Sequence, residues 1–235
     1  MKKMDKIRSD YINLLKKNLE KPDFVNSLKI IPETFGGPSV YFYEECLKSR
    51  KNGFLEHDHI KMIYATLTAW GMHRMGEGGK TKLFRFSDFE KSIKDSKIYL
   101  SDLQDKTLFN FGDRNHFDSI WTKCANVLKV SIAESKLVST SKTLHLMFPD
   151  LIPPIDRQYT LRFFFQDQGR WAEKGRYTQP PKISINREKT CFTDICLAYK
   201  HILQEVSLNG IKSIKTIDDA IIAIVREAKS SSQGQ

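Results

Sequence analysis

An all-α fold is predicted by three features of the 235-residue chain. Apolar residues recur at steps of three and four over most of its length, the period of a helix with one buried face. Strand-like alternation is confined to the short segment Lys182-Ile-Ser-Ile-Asn186. Glycines, prolines and capping residues fall mainly between the periodic segments, as breaks between helices should.

Residues 4–20 place Ile7, Tyr11, Leu14, Leu15 and Asn18 on one helical face. Gly36-Gly37-Pro38 predicts a turn, with Pro38 at the first position of a helix through residue 48, because its fixed φ suits that position and its missing N–H is not needed there. Asp58 is placed to cap a helix through Ile60, Ile63, Tyr64, Leu67 and Trp70 that closes near Gly71 or Gly76. Ser87-Asp-Phe-Glu90 has the form of a capping box. Residues 113–130 carry Phe117, Ile120, Trp121, Cys124, Val127 and Leu128 at helical spacing. Phe192, Ile195, Cys196, Tyr199, Ile202, Leu203 and Val206 mark a further helix closed by Asn209-Gly210. Thr216 is expected to cap the last one, with Ile217, Ala220, Ile221, Ile224 and Val225 inward. Residues 1–229 form the expected domain, either undivided or parted into lobes near residue 110, and 230–235 are expected to be a disordered tail.

A chain of this size buries roughly 70% of its unfolded surface and needs no disulfide or metal to hold a core. Cys46, Cys124, Cys191 and Cys196 read as reduced structural thiols. Glu56-His57-Asp58-His59 is metal-like in composition, but neighbours along a helix start point apart, so neither a metal site nor a cofactor is expected. Apolar runs fall short of the ~20 residues of a membrane span. Acidic and polar residues follow the basic N-terminus where a signal peptide would be apolar. No membrane contact and a cytoplasmic location are the expectations. Gly79-Lys80-Thr81 lacks the earlier glycine of a phosphate-binding loop, since Arg74 stands there, and it follows a helix rather than a strand. The same glycine-rich turn can still bring His73, Arg74 and Lys80 to a cleft.

The net charge of +10 attracts phosphate backbones, so nucleic acid is the expected partner. Residues 166–190 form the longest stretch without helical periodicity. Arg170, Trp171, Lys174 and Arg176 there interleave cations with an aromatic ring, a pattern that suits backbone neutralisation with base stacking. A solvated loop with one anchoring Trp is the alternative.

Specific chemistry is concentrated in Leu137-Val-Ser-Thr-Ser-Lys142-Thr-Leu-His-Leu-Met-Phe-Pro-Asp-Leu-Ile-Pro-Pro-Ile-Asp156-Arg-Gln-Tyr159. Ser139, Thr140 and Ser141 are candidates to cap a helix opening at Lys142, and the free N–H groups of such a start form a phosphate seat. Pro153-Pro154 force a turn, after which Asp156 falls at an N-cap ahead of Arg157. An amine can attack a sugar carbon, and a capped carboxylate stays ionised to stabilise the cation that forms. His145 lies three residues after Lys142 and can meet it on one face.

This segment resembles the active-site segment of the helix–hairpin–helix DNA glycosylases, in particular the 8-oxoguanine glycosylase-like group. The resemblance implies that Lys142 is the Schiff-base lysine, that Pro154-Ile155-Asp156 is the Pro-x-Asp element and that Ser139 to Ser141 form the hairpin gripping a phosphate. The hairpin reads Ser-Thr-Ser where the family usually has Gly-x-Gly, and Lys142 and Asp156 are 14 residues apart, closer than is typical. The chain as a whole is similar to a microbial protein group, with no activity to transfer, that carries Phe35-Gly-Gly-Pro-Ser39 and Trp70-Gly-Met-His-Arg-Met-Gly76. The implied function is excision of a damaged base from DNA, with Lys142 and Asp156 catalytic. Trp70, Trp121, Phe164 and Trp171 are the candidates to stack on the base, and His73 and His145 to contact it. The alternative is a non-catalytic helical module binding nucleic acid or protein.

Overall fold

The computed structural model describes residues 9–28, 37–73, 81–166, 181–207, 211 and 213–230. Among them the protein is built from helices, and its only β-type pairing is a single antiparallel bridge between Leu83 and Ser131. Arg170, Trp171, Lys174 and Arg176 lie outside the described residues, as do Arg74, Lys80, Asn209-Gly210 and most of the tail.

The first helix, α1 (Ser9–Leu19), buries Tyr11, Leu15 and Leu19, a strict four-residue stripe, while Asn18 turns its side chain back to the Leu14 carbonyl. A short α2 (Pro22–Leu28) follows. Helix α3 (Pro38–Asn52) opens with Pro38 in the first turn and Gly37 at φ 60° before it, a left-handed conformation that glycine adopts without a Cβ penalty. Helix α4 (His57–Leu67) is preceded by Glu56 rather than capped by Asp58. Asp58 lies inside the first turn and pairs with Lys61, where a carboxylate still complements the helix dipole. The chain then widens into a π turn, Thr68–Met72, broken by Gly71 at φ 78°. Glycine therefore ends this helix at the first of its two expected sites.

Helix α5 (Phe86–Asp95) begins before the expected capping box. Glu90 instead bonds Lys94 and His57, so a turn-to-turn salt bridge replaced a cap. A one-turn α6 (Lys97–Ser101) leads on to α7 (Arg114–Cys124). Asp113 caps α7 in a reciprocal pair with His116, and α7 stops well short of residue 130. Helix α8 (Leu137–Met147) is followed by a second π turn, Arg157–Leu161, running into α9 (Arg162–Phe165). A 3₁₀ turn, Ile185–Arg187, occupies the segment that alternates in sequence. The longest helix, α10 (Glu188–Val206), precedes α11 (Ile214–Ser230). Thr216 lies within α11, and the Ser213 hydroxyl receives the Lys215 N–H in its place.

Helix α8 is the centre of the protein. It packs on α3 and α4 on one side and on α10 on the other. Ten of its eleven residues are buried, so its polar side chains must find partners inside the fold. Helices α1 and α2 pack on α11, and α1 on α10 as well, so the N-terminal helices cross any division near residue 110. The buried apolar residues form one continuous core. All four cysteines are free and buried within it, and burial pushes the thiols of Cys46, Cys124 and Cys191 up to about 12. Among the described residues no helix is long and apolar enough to cross a membrane.

Candidate active site

Lys142 does not open its helix. Helix α8 starts five residues earlier, at Leu137, with Lys136 as its flanking residue. Ser139, Thr140 and Ser141 are therefore helical and buried. The Ser139 and Ser141 hydroxyls donate to the carbonyls of Lys136 and Val138. A buried carboxylate lies beside the helix start. Glu188, only 2% exposed, receives the Lys136 backbone N–H at 3.0 Å and the Ser135 hydroxyl. The phosphate grip expected at Ser139 to Ser141 finds no open surface there, because all three residues are buried and the Ser139 and Ser141 hydroxyls are bonded within the fold.

Ser141 has a different task. Its hydroxyl accepts the Ile155 N–H at 3.1 Å, tying the turn beyond Pro153-Pro154 back onto α8. Asp156 is the N-cap of the turn Arg157–Leu161, accepting the Gln158 N–H at 2.7 Å, as its position after the prolines predicts. Thr160 receives the Asp156 N–H at 3.1 Å, so the cap is held from both ends. Within this frame the Lys142 ammonium lies 2.9 Å from the Asp156 carboxylate. Burial raises the Asp156 carboxyl, but the Lys142 charge, its hydrogen bond and the Gln158 and Tyr159 N–H groups prevail and hold it below the usual carboxylate range.

Lys142 and Asp156 open onto a cleft of about 540 Å³, a size typical of small-molecule sites. One wall is aromatic. Tyr43 of α3, Trp70 of the first π turn and His145 of α8 lie nearly parallel, with Tyr43 5.7 Å from Trp70 and 5.8 Å from His145. The Trp70 indole N–H donates to the Ser39 carbonyl at 3.3 Å, fixing the ring, and the Lys142 amine sits 5.6 Å from its centre. That is a cation–π contact.

His145 is wholly buried. Burial pushes it down to about 4, so it is neutral at physiological pH. Its Nδ1 lies 2.8 Å from the Ile152 carbonyl and its Nε2 3.3 Å from the Tyr43 hydroxyl. A carbonyl can only accept, so Nδ1 carries the hydrogen and Nε2 accepts from Tyr43. His145 thus orients Tyr43 and buttresses the wall.

Further lining comes from α11, which contributes Lys215, Asp218, Asp219 and Ile222. Positions i, i+3, i+4 and i+7 share one helical face. Lys215 and Asp219 form an ion pair. Asp218 is 9% exposed, and burial pushes its carboxyl up to about 7. Nothing in the local sequence marks these carboxylates. Only their spacing from Lys215 hints at a shared face.

The remaining expected residues are dispersed. Trp121 is 8% exposed and packs on Phe192 at 5.2 Å between rings, so it is core and does not line the cleft. Phe164 is fully buried among Phe163 and Tyr199, which removes it as a stacking surface. His73 is exposed and bonded to the Thr68 carbonyl at 2.7 Å, just beyond the residues that line the cleft. Arg157 is exposed beside Asp156. His57 pairs with Glu90, and the buried His59 accepts the Leu55 N–H, so the two histidines point apart.

The arrangement joins an amine, an ionised carboxylate, a stacking ring and a protonatable carboxyl in one half-enclosed space. Compared with protein-family models, with curated proteins and with solved structures, the chain shows no significant match.

Proposed function

We propose that the protein is a helix–hairpin–helix glycosylase-like enzyme that cleaves the bond between a heterocyclic base and its sugar in DNA. Lys142 is the nucleophile and Asp156 its companion. The observation that carries this reading is the 2.9 Å contact between the two groups at the edge of a cleft walled by Trp70. In the resting site Asp156 holds the amine. When a base enters and stacks on Trp70, the amine passes a proton through Asp156 to water and attacks the sugar C1′ with Asp156 ionised again. Asp156 lies within the heavy-atom range of a proton acceptor. Its charge also stabilises the positive sugar in the transition state. The enzyme would take the base out of the stack to reach it. With Ser139 to Ser141 sealed in the core, the backbone contacts fall to exposed cations such as Arg157 and to the basic surface in general.

The test is borohydride trapping on duplexes carrying either a damaged base or an abasic site. A covalent adduct that Lys142→Ala abolishes and Lys94→Ala preserves supports the enzyme. Lys94 is the control because it is exposed and paired with Glu90 on α5. One feature favours a non-catalytic binding module instead: Lys142 is already engaged by Asp156 and Trp70 without any ligand. Binding of DNA with no adduct under any condition would establish that second reading.

A further inference from the structure

The cleft holds a carboxyl that the lysine–aspartate chemistry does not use. Lys142 is paired with Asp156 and Lys215 with Asp219, which leaves Asp218 as a lining carboxyl with no hydrogen-bonded side-chain partner among the described contacts. It is 9% exposed and sits on the wall formed by α11. A polar group this buried ordinarily has a partner. One that lacks a partner and lines a cleft is placed to meet a ligand.

We propose that Asp218 is the general acid that protonates the departing base. This rests on the glycosylase reading and supplies the step it leaves open. Attack by Lys142 forms a bond between Nζ and C1′. The C1′–N bond breaks and its electron pair moves to the base nitrogen. The base must gain a proton to leave neutral, and the Asp218 hydroxyl supplies it to a basic ring nitrogen or exocyclic oxygen, becoming a carboxylate. The proton that Lys142 releases passes through Asp156 to solvent, so Asp156 is ionised again during the attack. Water then hydrolyses the Nζ–C1′ linkage to free Lys142, and solvent re-protonates Asp218 before the next turnover.

The surroundings divide these roles. Asp156 has a capping N–H and a lysine and stays ionised. Asp218 has no such hydrogen bonds, and burial, with the Asp219 and Asp156 charges, outweighs the attraction of Lys215 and Lys142 and pushes its carboxyl up to about 7. Two carboxyls of one site shifted in opposite directions from the ordinary carboxylate range are the usual mark of an acid and a charge stabiliser. The substrate class follows. The ligand is a planar nitrogen heterocycle that stacks on Trp70 and turns a basic ring nitrogen or exocyclic oxygen towards α11.

The experiment compares Asp218→Asn with wild type on two DNA duplexes, one with a damaged base and one with a preformed abasic site. On the abasic duplex no base has to leave. Asp218→Asn is expected to trap there within about twofold of wild type, which also shows that the variant is folded. On the damaged base its single-turnover excision should fall about 100-fold or more, as loss of a general acid does, and Asp218→Glu should recover part of the rate. Equal excision by Asp218→Asn and wild type overturns the role of Asp218 while leaving Lys142 as nucleophile. Equal loss on both duplexes makes Asp218 a structural residue and also overturns it. A wild-type protein that neither excises nor traps removes the glycosylase reading and this role together.

Discussion

Replacing Asp218 with asparagine should make the protein more stable, and increasingly so as pH rises. Burial lifts the Asp218 carboxyl from 3.8 to about 7. Between those two values the unfolded chain releases the proton while the folded chain keeps it. Folding must therefore carry a proton that the unfolded state has given up, and stability falls by about 1.4 kcal/mol per pH unit across that interval. The penalty is about 1.5 kcal/mol at pH 5 and reaches about 4 kcal/mol above pH 7, where the folded carboxyl also ionises. Asparagine has the same shape and no titration, so the variant escapes the penalty. Urea unfolding of both proteins at pH 5, 6, 7 and 8 measures it. The variant's advantage should widen by about 2–3 kcal/mol between pH 5 and 8. An advantage that stays flat with pH would show that Asp218 is solvated or paired, and the reasoning would fail. Gain of stability with loss of excision is the pattern expected where a site residue is held in an unfavourable state for its work.

Asp156→Ala should act in the opposite sense. It removes a cap worth about 1 kcal/mol and strands the Lys142 ammonium. The carboxyl is held low in the folded state, so its contribution is present above pH 4 and disappears as pH falls through that lowered value. Acid denaturation of the variant should accordingly begin from a lower plateau and show a shallower slope. Ser141→Ala leaves the buried Ile155 N–H without its acceptor, a loss of about 1–3 kcal/mol in thermal or urea unfolding. Full stability of that variant would mean that the turn is not held by α8. Glu188→Ala uncovers the start of α8 and the Ser135 hydroxyl, and about 2 kcal/mol should be lost. Helix content by circular dichroism and the urea midpoint would reveal it.

Much of the architecture was legible from residue order. Periodicity marks a helix face because every helix here buries its stripe in one core, as Tyr11, Leu15 and Leu19 do in α1 and Ile217, Ile221 and Val225 do in α11. Proline and glycine marked ends for the same local reason at Pro38 and Gly71, where the backbone itself decides. Asp156 was readable as a cap because two prolines forbid any continued helix before it. The start of α8 was not readable. Ser139 to Ser141 look like caps, but the helix opens at Leu137 and its flanking residue Lys136 is held by Glu188 from 52 residues away, and a remote carboxylate leaves no mark beside the segment it serves.

What residue order determined, then, is a helical chain in which a lysine and an aspartate meet across a proline turn, since backbone restriction and hydrophobic period are local properties. Only the tertiary structure decided what surrounds them. Trp70 comes from a π turn 72 residues before Lys142 and Asp218 from a helix 76 residues after it, and side chains so far apart along the chain are brought together only by the packing of α3, α4, α8 and α11 around one core. Burial, which sets the charge state of Asp218 and His145, is a property of that packing and of no segment alone.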